Sequence, residues 1–239
     1  MTPLLDPMRG RATLARVTRD ERLALLHAAR LYLVTDLEPG GRPLEGVLAA
    51  ALEGGVDIVQ LRAKDAGDGE ILAAAAVARR LCDDAGALLI VNDRPDLVAP
   101  AHADGVHIGQ DDGTIADARA TAGQDAIVGR STHAPAQLAQ AADDGADYAG
   151  VGPVHATPTK AGRAPVGIEY VRLAADQARI PWFAIGGIAA ENAGEVVAAG
   201  AQRIAVVRAI ADADDPRAAA AALRGVLAAS ATPAGALRG

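Results

Sequence analysis

Eight short runs rich in β-branched and apolar residues recur along this chain, separated by alanine-rich segments, and that alternation restricts its fold more than any other feature. The runs are LYLVTD at 31–36, DIVQLR at 57–62, LLIVND at 88–93, GVHIG at 105–109, AIVGRST at 126–132, YAGVGP at 148–153, WFAIGG at 182–187 and RIAVVR at 203–208. Their starts lie 17 to 34 residues apart, which leaves room for a helical crossover between parallel strands. Intervening segments such as EILAAAAVARRLCDDAG and PAQLAQAADDGA carry helical periodicity, and many close on a glycine, as helix C-termini do. Parallel strands joined by right-handed crossovers, repeated eight times, close into a barrel. The expected fold is therefore α/β, a single (β/α)8 TIM barrel over residues 31–227. A doubly wound open sheet competes, but no GxGxxG follows the first run.

The ends of the chain read differently. Residues 14–30, LARVTRDERLALLHAAR, can form one amphipathic helix ahead of the first strand, covering the barrel's N-terminal mouth. Residues 1–30 are thus an N-terminal helical extension, and AASATPAGALRG at 228–239 reads as a disordered tail. No stretch reaches the ~20 apolar residues of a membrane helix. A net charge of −7 with 2% aromatic residues argues against a nucleic-acid surface, which needs a basic field and stacking rings. Small molecules are the expected partners. The single cysteine, Cys82, excludes an intrachain disulfide and argues against structural zinc; it reads as a buried, inert thiol. The N-terminus carries no apolar secretory core, so a cytoplasmic location is expected.

A barrel of this kind works at the C-terminal ends of its strands, and the polar side chains collect there. The second run delivers Gln60, Arg62 and Lys64, the third Asn92 and Asp93, and the fourth leads into Gln110, Asp111 and Asp112. The fifth ends in Ser131, Thr132 and His133, the sixth leads into Thr157, Thr159 and Lys160, the seventh ends in Gly186 and Gly187, and the eighth in Arg208. Asp93 and Asp112, on neighbouring strand ends, could hold Mg2+, which takes oxygen ligands and shares them with substrate phosphates. Taken singly, Asp93 also reads as a helix N-cap before RPDLVAP and Asp112 as a loop acid. Arg62 and the lysines offer charge to an anion. The chain has 23 basic residues of which only Lys64 and Lys160 are lysine, so these two positions ask for a compact charge rather than a planar fork. A solvated surface lysine is the ordinary alternative. AIGGI can seat a phosphate on bare backbone N–H groups, or simply mark a tight turn. His107 reads as a satisfied core or rim histidine and His133 as a candidate wall residue. No HxH or HExxH arrangement favours zinc.

QLRAK, VNDRPDLV, DGVHIGQDD, GRSTH, YAGVGPVHATPTKAG and AIGGI occur in order and at matching strand positions from about Leu31 to Ala222. Together they resemble the thiamine phosphate synthase family. The resemblance implies a transferase that joins an aminopyrimidine methyl diphosphate to a hydroxyethylthiazole phosphate with Mg2+, releasing pyrophosphate. By the same resemblance, Gln60, Arg62, Lys64, Asn92, Ser131 and Lys160 would hold the pyrimidine diphosphate, with Lys64, Lys160 and Arg62 stabilising the departing charge. Asp93 and Asp112 would bind the metal, and Thr157, Thr159 and Gly187 the thiazole phosphate. A homodimer is expected from the class.

Two positions depart from the family pattern. Val207 and Arg208 stand where many relatives carry isoleucine and serine, so Arg208 is expected either to take over a phosphate contact or to point away. Ala156 stands where many have proline. Two other functions fit parts of the pattern: a thiazole tautomerase of the same superfamily, which needs no diphosphate-bound metal, and a non-catalytic phosphate-binding barrel. The combination of Asp93, Asp112 and Lys160 favours the synthase.

Overall fold

The computed structural model describes residues 18–157 and 164–229. Its strands are β1 (Leu31–Thr35), β2 (Ile58–Leu61), β3 (Leu88–Asn92), β4 (Gly105–Ile108), β5 (Ile127–Thr132), β6 (Tyr148–Val151), β7 (Trp182–Ile185) and β8 (Ile204–Val206). Each pairs in parallel with the next, and β1 pairs with β8 to close the barrel. Among the described residues the helices are α1 (Arg19–Ala28), α2 (Leu44–Glu53), α3 (Asp68–Ala85), α4 (Ile115–Ala122), α5 (Pro135–Asp143), α6 (Gly167–Gln177), α7 (Ala190–Ala198), α8 (Arg208–Ala211) and α9 (Pro216–Ala229). The (β/α)8 barrel expected from the alternation is the observed architecture. The strands stop earlier than most of the sequence runs because their last residues leave the ladder to form the rim; Arg208, assigned to the eighth run, opens α8 instead.

Period-two alternation divides each strand between two cores. Outward residues such as Leu33, Val59, Leu89, Val106 and Val128 pack under the helices. Inward residues, among them Tyr32, Ile58, Ile90, Ile127, Tyr148 and Phe183, fill the barrel, as the layered interior of this fold requires. Phe183 meets both tyrosines edge-on, with ring centroids 5.3 Å from Tyr32 and 5.8 Å from Tyr148. Gly129 makes room for this layer: a Cβ there would lie 2.1 Å from Tyr148 Cζ.

The N-terminal mouth is closed by α1. Its Leu26 is fully buried in the inner cluster, while Arg19 bonds the Ala126 carbonyl and Asp147, and Arg22 bonds Asp104 and the Asp125 carbonyl. Thr18 and Glu21 form a capping box at its start. Residues 14–17 of the expected helix lie outside the described residues. At the other end α9 continues through Ala229, two residues into the segment read as tail; buried Leu223 and Leu227 continue its apolar face. Cys82 is buried beside Leu88, and burial pushes its thiol up to about 12, consistent with an inert side chain. No described helix is long and apolar enough to cross a membrane.

Candidate active site

The C-terminal face of the barrel opens into a cavity of about 330 Å³. Its wall takes Gln60 from β2, with Arg62 just past the strand, Asn92 from β3, Ser131 from β5, Thr157 from the loop after β6, Gly187 after β7, and Val207 and Arg208 after β8. These are eight of the sequence-assigned positions, brought together because they sit at, or a few residues beyond, the ends of six different strands. Thr159 and Lys160 lie outside the described residues. Ala156, where the family pattern breaks, also lines the cavity.

At the rim, Asp93 and Asp112 form a pair. Asp93 follows β3 with φ 59°, a left-handed conformation uncommon for any residue but glycine and concentrated at functional sites. Its N–H donates to the His107 carbonyl across the barrel ladder, which holds it in place. It does not cap a helix: the short 3-10 turn that follows, Pro95–Leu97, begins from Arg94. Asp112 is folded back by its own loop, with Oδ2 accepting from the Gly109 N–H at 2.8 Å. A Cβ on Gly109 would come within 2.6 Å of that oxygen, so glycine is what lets the carboxylate dock. Burial raises the Asp93 pKa, and its hydrogen-bonding contact with Asp112 and the neighbouring negative charge raise it further, against the opposing pull of Lys64. Lys64 Nζ lies 3.4 Å from Asp93 Oδ2. Two acids that crowd each other this way favour a cation between them. Among the described residues no group of three or more His, Cys, Asp or Glu could hold a metal.

Across the cavity the chain exposes backbone. Gly186 and Gly187 have φ values of 104° and 65°, and both are crowded by the loop after β6. A Cβ on Gly186 would lie 2.5 Å from Pro153 Cα, and one on Gly187 2.8 Å from the Ala156 oxygen. The loop is stitched there by Val154 N–H to the Ile185 carbonyl and His155 N–H to the Gly186 carbonyl. Glycine is required twice over, by dihedral and by contact. Behind it α7 starts at Ala190, and α8 starts at Arg208 directly beside it in the wall. Loops after strands seven and eight with a short extra helix are where barrels of this class commonly seat a phosphate.

The guanidinium groups sort the same way. The guanidinium of every described arginine except Arg62 and Arg208 has a hydrogen bond or ion pair to another described residue. Those two line the cavity, so the charge left available for an anion is aimed there. His133, a candidate wall residue from its place after the fifth run, lines the cavity, and so does His107, which the sequence offered only as a core or rim histidine. His133 donates from Nδ1 to the Gly152 carbonyl, and His107 bonds Ser131 Oγ at 2.9 Å and Tyr148 Oη at 3.1 Å.

The profile of the thiamine monophosphate synthase family matches residues 31–210, from β1 into α8. The chain belongs to the thiamine monophosphate synthase family. Its described acid pair, cavity and glycine loop all fall inside the matched span. It is 52% identical over 209 residues to a Thermobifida fusca protein named thiamine-phosphate synthase, covering 86% of this chain and 95% of that one. It is 51% identical over 201 residues to a Synechocystis thiamine-phosphate synthase, covering 83% of this chain but 57% of that longer protein. The chain spans little more than half the length of this and several other relatives it matches. Among solved structures it superposes on a thiamine phosphate pyrophosphorylase from Pyrococcus furiosus with a TM-score of 0.80 at 34% identity, covering 87% of this chain and all of that one.

Proposed function

We propose that this chain is a thiamine phosphate synthase, a transferase that joins 4-amino-2-methyl-5-hydroxymethylpyrimidine diphosphate to hydroxyethylthiazole phosphate with Mg2+, giving thiamine phosphate and pyrophosphate. The observation that carries it is a crowded acid pair, Asp93 directly after cavity-lining Asn92 and Asp112 in the loop after β4, beside a cavity lined by Arg62, Arg208 and the Gly186–Gly187 backbone. That arrangement suits a substrate with a diphosphate at one end and a second one with a monophosphate at the other.

In this reading the C–O bond between the pyrimidine methylene and the diphosphate breaks, the diphosphate leaves with the electron pair, and the thiazole nitrogen forms the new C–N bond. Asp93 and Asp112 would hold Mg2+, whose contribution is to neutralise the charge that builds on the departing diphosphate. Arg62, Lys64 and Lys160 add fixed positive charge to the same leaving group. Gln60, Asn92 and Ser131 hold the pyrimidine end. Thr157, Thr159, Gly187, Val207 and Arg208 receive the thiazole phosphate. No side chain has to act as a covalent nucleophile. A coupled assay for pyrophosphate release with both substrates and Mg2+ tests the reading; release no faster than without protein refutes it, and conversion of the thiazole alone without pyrophosphate would mark a tautomerase.

A further inference from the structure

Two phenols lie beneath the cavity floor and link its opposite walls. Gln60 Nε2 donates to Tyr32 Oη at 2.6 Å, Tyr32 Oη lies 2.8 Å from Tyr148 Oη, Tyr148 Oη lies 3.1 Å from His107 Nδ1, and His107 Nε2 lies 2.9 Å from Ser131 Oγ. Gln60 from β2 and Ser131 from β5 both face the cavity. The tyrosines are buried and wedged edge-on against Phe183. Burial raises both phenol pKa values, so each oxygen carries one proton.

Proton counting then allows few states. With Gln60 donating to Tyr32, the Tyr32 hydroxyl donates to Tyr148, the Tyr148 hydroxyl donates to His107 Nδ1, and a neutral His107 donates from Nε2 to Ser131. The Gln60 carbonyl is left to accept from the cavity, and the Ser131 hydroxyl is left to donate into it. If the Gln60 amide turns over, every bond reverses: Gln60 offers a donor and Ser131 an acceptor. Mixed states leave a buried polar atom without a partner, which is unfavourable.

We propose that Tyr32 and Tyr148 are positioning residues that couple the Gln60 amide to the Ser131 hydroxyl, so that the cavity offers an acceptor and a donor together, or their exact exchange, and nothing between. The state in the structure complements a heterocycle whose exocyclic amine donates to Gln60 and whose unprotonated ring nitrogen accepts from Ser131 on the far side. The reversed state complements the corresponding oxo compound, with a carbonyl towards Gln60 and a ring N–H towards Ser131. The tyrosine pair thereby sets the preference for an amino- over an oxopyrimidine. This ligand half rests on the pyrimidine substrate proposed above; the proton order within the wire rests on the side chains alone, and the two are tested separately.

The proton order is read from the ring 15N shifts of His107 in the intact, unliganded protein. Wild type is expected to show the Nε2–H tautomer. Gln60→Glu, at a pH where the 13C shift of the new carboxyl shows it ionised, can only accept from Tyr32; the His107 signal should then move to the Nδ1–H tautomer, although residue 60 does not touch the imidazole. Adding Tyr32→Phe should cancel that move. An unmoved His107 signal in Gln60→Glu overturns the coupling, as does a wild-type Nδ1–H tautomer. Should Gln60→Glu not fold, Tyr148→Phe serves: the His107 Nδ1 15N signal should move when the Tyr148 hydroxyl no longer donates to it, and an unmoved Nδ1 signal overturns the proposal equally. For the ligand half, calorimetry with the amino- and oxopyrimidine diphosphates and Mg2+, without thiazole, should show the amino preference falling about tenfold or more in Tyr148→Phe. An unchanged preference refutes the selectivity role. A wild type that binds neither diphosphate refutes the proposed reaction while the tautomer result stands.

Discussion

Replacing Asp93 with asparagine should move the stability of the empty protein and its chemistry in opposite directions. The backbone there is left-handed, φ 59°, and asparagine adopts that conformation more readily than other residues with a Cβ. The amide also matches the carboxylate in size, so charge is the main thing lost. Burial, then Asp112, raises the Asp93 pKa above its ordinary 3.8. A group whose folded pKa is raised contributes its stability fully below the unfolded pKa and loses it as pH rises through the folded one. At pH 7 the ionised Asp93 therefore weighs against folding. Lys64, with 56% of its side chain exposed, returns little of this through its ion pair.

Because Asp112 is solvent-exposed, the relief is screened to on the order of 1 kcal/mol, or about 2–4 °C in Tm for a chain of this size. Thermal unfolding in metal-free buffer should show Asp93→Asn melting higher than wild type at pH 7, with the gap closing as pH falls towards 4. Mg2+ at 100 times its Kd should stabilise wild type by about 2.7 kcal/mol and the variant far less, and turnover should fall about a hundredfold or more. A variant that melts lower at pH 7 without metal would show that Asp93 is held by favourable partners. Equal gains from Mg2+ in both proteins would place the ion elsewhere.

Gly129→Ala sets a Cβ 2.1 Å from Tyr148 Cζ and should cost about 3 kcal/mol or more in urea unfolding; a loss under about 1 kcal/mol would mean that the tyrosine layer can move aside. Arg208→Ser should weaken thiazole phosphate about tenfold or more, the worth of one charge-assisted hydrogen bond, and leave pyrimidine diphosphate affinity alone; equal losses for both would deny Arg208 any selectivity. Lys64→Arg brings a planar fork to an acid now 3.4 Å from the ammonium, so a bidentate pair should tie up Asp93 and raise the Mg2+ needed for half-maximal turnover about tenfold. Lower turnover that excess Mg2+ cannot restore would instead tie Lys64 to the diphosphate.

The fold was legible because period-two apolar runs and alanine-rich helices alternate without interruption, and closure at eight strands follows from their number. The rim was legible for the same reason: once strand ends are known, Gln60, Arg62, Asn92 and Ser131 must surround one opening. Boundaries were less so. Val207 continues the apolar run of β8 in sequence and Arg208 follows it directly, yet the backbone turns at Val207, with ψ −91°, to start α8. Nothing in the residue types announces that turn. The tail was misjudged at Ala228 because alanine-rich composition looks the same in a helix as in a low-complexity end; burial of Leu223 and Leu227 decides it.

The wire beneath the cavity shows a different limit. Tyr32 and Tyr148 occupy inward strand positions where an aromatic side chain reads as filling, and filling is half of what they do. Their hydroxyls acquire a further role only because β1 and β6, which do not neighbour each other in the sheet, aim them at one point inside the barrel. Position along a strand predicts which face a side chain takes, but not which side chain it meets across the interior. Gly129 was the available clue: a glycine in the middle of a strand marks close approach by something large, and here that is the ring of Tyr148. A polar link between site residues can thus be invisible in the spacing of the site motifs and still be forecast by the small residue that makes room for it.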